Sequence, residues 1–314
     1  MAAAILAALP PWQADAVAQA PPAQAPPVFR SLSELVLLHV AVKDGRNRYL
    51  PGLPMAAFTI YDNDRAQDIR FFMDEDAPAT IGLLVDSSGS MLPNRDQVLA
   101  AVETFVETSH AGDEIFALAF NDSVRAALPR DQPFTGDSAV LRSALGRVPA
   151  FGQTALYDAL AQGLEYLEQG RHDRKALVVV SDGADNASRT EYADVAARVQ
   201  ASDVVVHVVQ LKDPNGRHPH AKRLTDLARA TGGEAFAPNN IHKVNEVLRR
   251  IAQDIRRAYV LAYAPTESAL DGALRRIRVE VRAPGHRRVN VRTRAAHSAG
   301  TSPQPPATRG RSDH

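Results

Sequence analysis

Four runs of almost uninterrupted apolar residues limit what this chain can fold into. They are "TIGLLVD" at 80–86, "EIFALAF" at 114–120, "KALVVVSD" at 175–182 and "DVVVHVVQL" at 203–211. A strand with one wet face alternates apolar and polar residues, whereas a strand covered on both faces need not. Parallel sheets buried between helix layers have strands of this second kind. The intervening segments carry a helical period instead. Val98, Val102, Phe105 and Val106 share one face, and so do Leu156, Leu160, Leu164 and Leu167. Val244, Val247, Leu248, Ile251 and Ile255 form a third such face, preceded by Asn240 as a candidate N-cap. Strand–helix alternation over 79–257 predicts an α/β domain with a doubly wound, mainly parallel sheet.

The flanks read differently. Over 31–78, "LVLLHVAVKDG", "AAFTIYDND" and "DIRFFM" are short strand patterns. Over 258–296, "RAYVLAYAP" reads as a strand and "LRRIRVEVRAPGHRRVNVRTR" as a hairpin turning at Pro284-Gly285. In that hairpin Ile277, Val279, Val281, Val289 and Val291 alternate with Arg276, Arg278, Glu280, Arg282, Arg288, Asn290 and Arg292, giving one apolar and one basic face. Each flank is too small for its own core, so the two are expected to pair into one small β-sandwich with the α/β domain inserted. At the amino end, apolar Ala2–Leu9 and the small-x-small triplet Ala16-Val17-Ala18 make 1–18 a candidate signal peptide, although no basic residue precedes the apolar segment. The chain is therefore expected to be exported, to a periplasmic or extracellular location. Residues 19–30 are a Pro/Ala-rich linker, and the polar tail 297–314 is expected to be disordered.

Charge and cysteine content exclude several functions. Lys plus Arg total 36 and Asp plus Glu total 36, so no overall field selects nucleic acid or an anionic membrane. The absence of cysteine removes disulfides, thiolate metal sites and cysteine nucleophiles. Attention then falls on the carboxyl ends of the buried strands, where open α/β sheets bind ligands. "LLVDSSGSM" puts Asp86, Ser88 and Ser90 at one such end, "VVVSDGADN" puts Asp182 at another, and "PAFGQTALYDAL" puts Thr154 at the start of a helix. Two carboxylates and three hydroxyls suit a hard cation such as Mg²⁺ or Mn²⁺. Gly89 allows a tight bend between the two serines.

The Asp-x-Ser-x-Ser of "DSSGS", followed by "GQTALYDAL" and "SDGADN", resembles the metal-ion-dependent adhesion site of von Willebrand factor type A domains. The flanking segments resemble those of a bacterial, exported branch of proteins with a related domain. The resemblance covers nearly all of 31–296, with "RTRAAHSAG" departing from the aromatic-containing ending expected there. It implies that Ser88 and Ser90 ligate the metal directly, that Thr154 does so when the site is engaged, and that Asp86 and Asp182 act directly or through water. It also implies a non-catalytic, metal-dependent adhesion or interaction module that grips a carboxylate of a protein partner.

Two other readings compete. A hydrolase would need a nucleophile elbow, Gly-x-Ser-x-Gly, and "DSSGS" is not one; His110, His172 and His207 fall at a helix end, in a loop and inside a strand. Phosphate chemistry would need a Gly-rich phosphate loop, which is missing. The alternative outside enzymology is a structural scaffold of the cell envelope that works through the basic hairpin, with the metal site dispensable. The "GRHPHAK" loop with His218 and His220 has no further ligands at useful spacing and reads as a solvent loop.

Overall fold

The computed structural model describes residues 35–298, except 75, 213–214, 216–219, 266–273 and 287. The signal-peptide and linker expectations, His218 and nearly all of the tail lie outside the described residues. The chain begins with β1 (Val36–Asp44), β2 (Phe58–Asp62), β3 (Arg65–Gln67) and β4 (Ile69–Met73). The α/β unit follows as β5 (Thr80–Asp86), α1 (Arg95–Thr108), β6 (Glu114–Phe120), β7 (Val124–Ala126), α2 (Ser138–Gly146) and α3 (Leu156–Glu168). It continues with β8 (Lys175–Ser181), α4 (Tyr192–Ala201), β9 (Val205–Gln210), α5 (Ala221–Ala230), β10 (Ala235–Phe236) and α6 (Val244–Arg257). The chain closes with β11 (Tyr259–Tyr263), β12 (Leu274–Val281), β13 (Val289–Arg292) and β14 (Ala296–Ser298).

The central sheet has the order β10-β9-β8-β5-β6-β7, parallel except for β7. Helices α1, α2 and α6 cover one face and α3, α4 and α5 the other, each side with its own apolar core. This is the doubly wound α/β fold that the unbroken apolar runs predict. Every residue of β5 is buried, and a Cβ on Gly82 would stand 2.3 Å from the Phe116 ring, so only glycine lets this strand lie so close beneath its neighbours. Asn240 does cap a helical turn, but one turn early. It accepts from His242 N at 3.0 Å to start a 3-10 turn, Ile241–Lys243, that leads into α6.

Two antiparallel four-stranded sheets, β13-β1-β11-β4 and β14-β12-β2-β3, pack face to face. Leu38, Val40, Phe58, Ile60, Tyr259, Leu261, Tyr263, Ile277 and Val279 fill the space between them, and the Phe58 and Tyr259 rings meet at 4.8 Å. One expectation fails here. β12 and β13 are not a hairpin: β12 pairs with β2 (Val279↔Ile60) and β13 with β1 (Val291↔Val42), so Pro284-Gly285 turns a corner from one sheet to the other. The alternation was real, but alternation identifies faces and not partners. The basic side chains therefore divide between two sheets instead of forming one hairpin face, although β12 does turn Arg276, Arg278 and Glu280 outward and bury Ile277 and Val279. Arg276 pairs with Asp64, Arg278 pairs with Glu280 and lies over Tyr61, and Arg292 points inward to Asp254 and Glu234. The carboxyl end also differs from the expected tail, because His297 belongs to β14 and is buried.

The seam between sandwich and α/β unit lies at the amino-terminal end of the central strands and is densely ionic. Lys43 and Arg292 both reach Asp254, at 2.9 and 2.6 Å, with the Asp254 side chain 1% exposed. Arg174 donates to the carbonyls of Ala77, Ile255, Arg256 and Ala258, tying the segment that enters the α/β unit to the one that leaves it. Arg294 does the same for the α4–β9 turn, through Asp203 and the carbonyls of Gln200 and Ser202.

Candidate metal centre

The winding of the sheet positions the site. From β5 the chain crosses to β6 on one side, and later returns to β8 on the other. The loops leaving β5 and β8 therefore diverge, and the crevice between them is a topological switch point. Asp86 ends β5 and Asp182 follows Ser181, the last residue of β8, so both carboxylates stand at that crevice.

Three loops close around it. Asp86 Oδ1 accepts from Ser88 N at 2.8 Å, an Asx turn that folds the chain back over the strand end. Ser88 begins a 3-10 turn, Gly89–Asn94, and its hydroxyl lies 3.0 Å from that of Ser90. Six oxygens at about 2.1 Å around Mg²⁺ place adjacent ligands about 3 Å apart, so this pair already has the required spacing. The loop before α3 joins this turn by two backbone bonds, Gly89 N to Gly152 O at 3.1 Å and Phe151 N to Ser87 O at 3.0 Å. Thr154 is held from the β8 side. Its N–H donates to Asn186 Oδ1 at 2.7 Å and its carbonyl accepts from the N–H groups of Asn186 and Ala187. The fold thus brings Asp86, at the end of β5, together with loops carrying the other four expected residues; Asp86, Ser88, Thr154 and Asp182 are buried and Ser90 is half-buried.

Several positioning residues escaped the sequence reading. Ser181 donates to Asp86 Oδ2 at 2.6 Å. Asp185 accepts from Leu156 N at 2.8 Å and from the Ser188 hydroxyl, so the amino terminus of α3 is capped from another loop. Asp122 accepts from Gln153 N at 2.7 Å and fills the space over Gly152, whose φ of +77° only glycine adopts without strain. Asp185 and Asn186 do lie inside the "SDGADN" stretch, but their targets are backbone amides some thirty residues back, which no local pattern reveals.

The electrostatics are lopsided. Burial pushes the Asp86 carboxyl up to about 6, against the hydrogen bonds from Ser181 and Ser88, and the nearby Asp182 charge pushes it the same way. Among the described residues no three His, Asp or Glu side chains gather as a metal cluster; the cup has two carboxylates with hydroxyls around them. A buried carboxylate pair with neutral oxygen donors fits a hard divalent cation, which would offset the burial that raises Asp86 and the smaller repulsion from Asp182. Among the described residues no imidazole hydrogen-bonds to the Ser88 or Ser90 hydroxyl, which meet each other. His110 and His172 meet around Gly112 at the amino-terminal end of the sheet, a strand length of roughly 20 Å away.

Residues 81–184 match the family model of the von Willebrand factor type A domain. No curated protein matches the sequence. Among solved structures, the mussel byssus proximal thread matrix protein 1 "with zinc occupied MIDAS motif" is similar at 15% identity and a TM-score of 0.50, over 62% of this chain and 49% of that one. A von Willebrand factor type A protein from Catenulispora acidiphila is 14% identical, over 86% and 75% of the two chains, with a TM-score of 0.49. BatB from Bacteroides thetaiotaomicron is 15% identical, over 56% and 97%, with a TM-score of 0.45. At these identities the likeness is one of fold. No described helix is long and apolar enough to cross a membrane.

Proposed function

We propose, from the premise that this chain carries a von Willebrand factor type A domain, that it is a non-catalytic module binding a protein partner through a divalent cation at the Asp86–Asp182 crevice. The observation that carries the reading is the cup itself. Two buried carboxylates lie at the switch point of the sheet, and two serine hydroxyls stand at ligand spacing beside them. Ser88 and Ser90 would hold Mg²⁺ or Mn²⁺ directly, Thr154 on engagement, and Asp86 and Asp182 directly or through water. The bound cation would offer a coordination position to a partner's carboxylate. Ser181, Asp185, Asn186 and Asp122 keep the loops in register, so the cup is preorganised and not assembled on binding.

Metal linkage tests this. Free Mg²⁺ or Mn²⁺ at ten times its dissociation constant should add about 1.4 kcal/mol, a melting shift of roughly 2–6 °C for a unit of this size. If the wild-type shift in differential scanning calorimetry is no larger than that of Asp86→Ala, the metal reading is lost.

A further inference from the structure

Beside the cup, a cleft of ≈ 400 Å³ opens at Ser90 and runs between Asn94 and the 238–241 segment to Lys212. Its lining contains no acidic residue, and its one charged group is the Lys212 ammonium. Lys212 is exposed and has no ion pair among the described residues. It stands apart from the basic side chains of the seam, where Lys43, Arg250, Arg256 and Arg292 are each paired with a carboxylate. The remaining polar side chains of the cleft are the Ser90 hydroxyl and three neutral amides, and Asn240 has its side-chain oxygen committed to His242 N. An unpaired cation at the end of a groove that starts at the metal cup is complementary to a second negative charge on whatever occupies the cup.

The spacing follows from the sheet. Leu211 N bonds Ser181 O at 2.8 Å, which fixes the chain just before Lys212 at the carboxyl edge of β8 and β9. The cup residues leave β5, two strands from β9. Strands about 4.8 Å apart put Lys212 roughly 10 Å from the cup, and an extended peptide advances about 3.3 Å per residue. We infer that the partner is an acidic peptide segment with two carboxylates two to four residues apart, the first bound at the cup and the second at Lys212. This rests on the metal-dependent reading above and adds to it the chemistry and spacing of the partner.

Labelled peptides titrated by fluorescence anisotropy, in Mg²⁺ at low ionic strength, test the pair. One peptide carries a single Asp, others a second Glu at +2, +3 or +4, and a control carries it at +9. The second acid at +2 to +4 should tighten binding about two- to five-fold, as an exposed ion pair does. Lys212→Ala should erase that gain, and Lys212→Glu should make the two-acid peptides bind worse than the single-acid one. Equal affinity of single- and double-acid peptides, or a gain that survives Lys212→Glu, overturns this inference while leaving the cup reading intact. A gain at +9 equal to that at +3 overturns the spacing. Absence of Mg²⁺-dependent, EDTA-sensitive binding of every peptide to the wild type overturns the cup reading and this inference together. Lys212 is exposed, so its substitution leaves the folded domain in place for each comparison.

Discussion

The two ends of the central sheet use buried charge in opposite ways. At the seam, each described buried cation is matched within the chain: Lys43 and Arg292 by Asp254, Arg294 by Asp203 and three carbonyls, Arg174 by four carbonyls. At the cup, among the described residues, Asp86 and Asp182 have only hydroxyl and amide donors and no cationic side chain pairs with them. Internally compensated charge holds a structure together, whereas charge left uncompensated in a preorganised pocket awaits something from outside.

The comparison can be broken at either end. Asp254→Ala should have the largest effect, because it strands Lys43 in the buried seam and leaves Arg292 with Glu234 alone. Loss of about 3–5 kcal/mol is expected, read by urea denaturation. A loss below 1 kcal/mol would mean the seam is wetter than its burial implies.

Acid should separate the ends by sign. Burial and neighbouring arginines depress three imidazoles near the sandwich. His39, facing Arg174 and Arg294, falls to about 3, and His297, facing Arg294 and Arg275 with Asp62 opposing, falls to about 4. His207, near Arg292 and Lys43, falls well below its ordinary value. An unfolded chain takes up these protons first, so their neutral burial is fully tolerated above about pH 6.5 and stability falls as pH drops below it. The expected loss is at most about 1.4 kcal/mol per pH unit for each imidazole. His39→Gln should flatten this slope in calorimetry between pH 6.5 and 4.5; an unchanged slope would remove His39 from the account.

The cup runs the other way. Asp86 is raised, so its charge is a penalty present above about pH 6 and relieved as pH falls toward the ordinary carboxylate range. Asp86→Asn should stabilise the metal-free protein at neutral pH by roughly 1–3 kcal/mol, and should abolish the metal-dependent melting shift. A destabilised variant would show that the carboxylate is compensated after all. The smallest effect is the proton–metal competition itself: in the wild type, Mg²⁺ affinity measured by calorimetric titration should weaken below about pH 6, and a flat profile down to pH 5 would contradict it.

What could be read from the sequence follows from range. Strand β5 and its neighbours were legible because burial on both faces writes itself into consecutive residues. The placement of Asp86, Ser88 and Ser90 together at one strand end was legible because residues two apart in a turn form a local pattern. The corner at Pro284-Gly285 was not, since β12 and β13 alternate identically whether they pair with each other or with β2 and β1. Asp254 was within reach: it lies on the apolar face of α6, seven residues after Val247, and a carboxylate there demands a buried partner. That the partners are Lys43 and Arg292, from opposite flanks of the chain, is decided only by the closing of the sandwich.

That closing also orders the folding of the molecule. β4 and β11 are neighbours in one sheet, Met73 opposite Val260, yet the entire α/β unit of nearly two hundred residues separates them. Joining their ends through a disordered loop of that length would cost about 4–5 kcal/mol of chain entropy. Once the α/β unit has folded, Arg174 and the Arg256–Asp76 pair hold its entry and exit side by side, and that cost has already been met. The sandwich is expected to zip up second, with amide protection in pulse-labelled hydrogen exchange reaching β5 and β8 before β1 and β11. A lesion in the inserted unit would then also keep the flanking strands from finding each other.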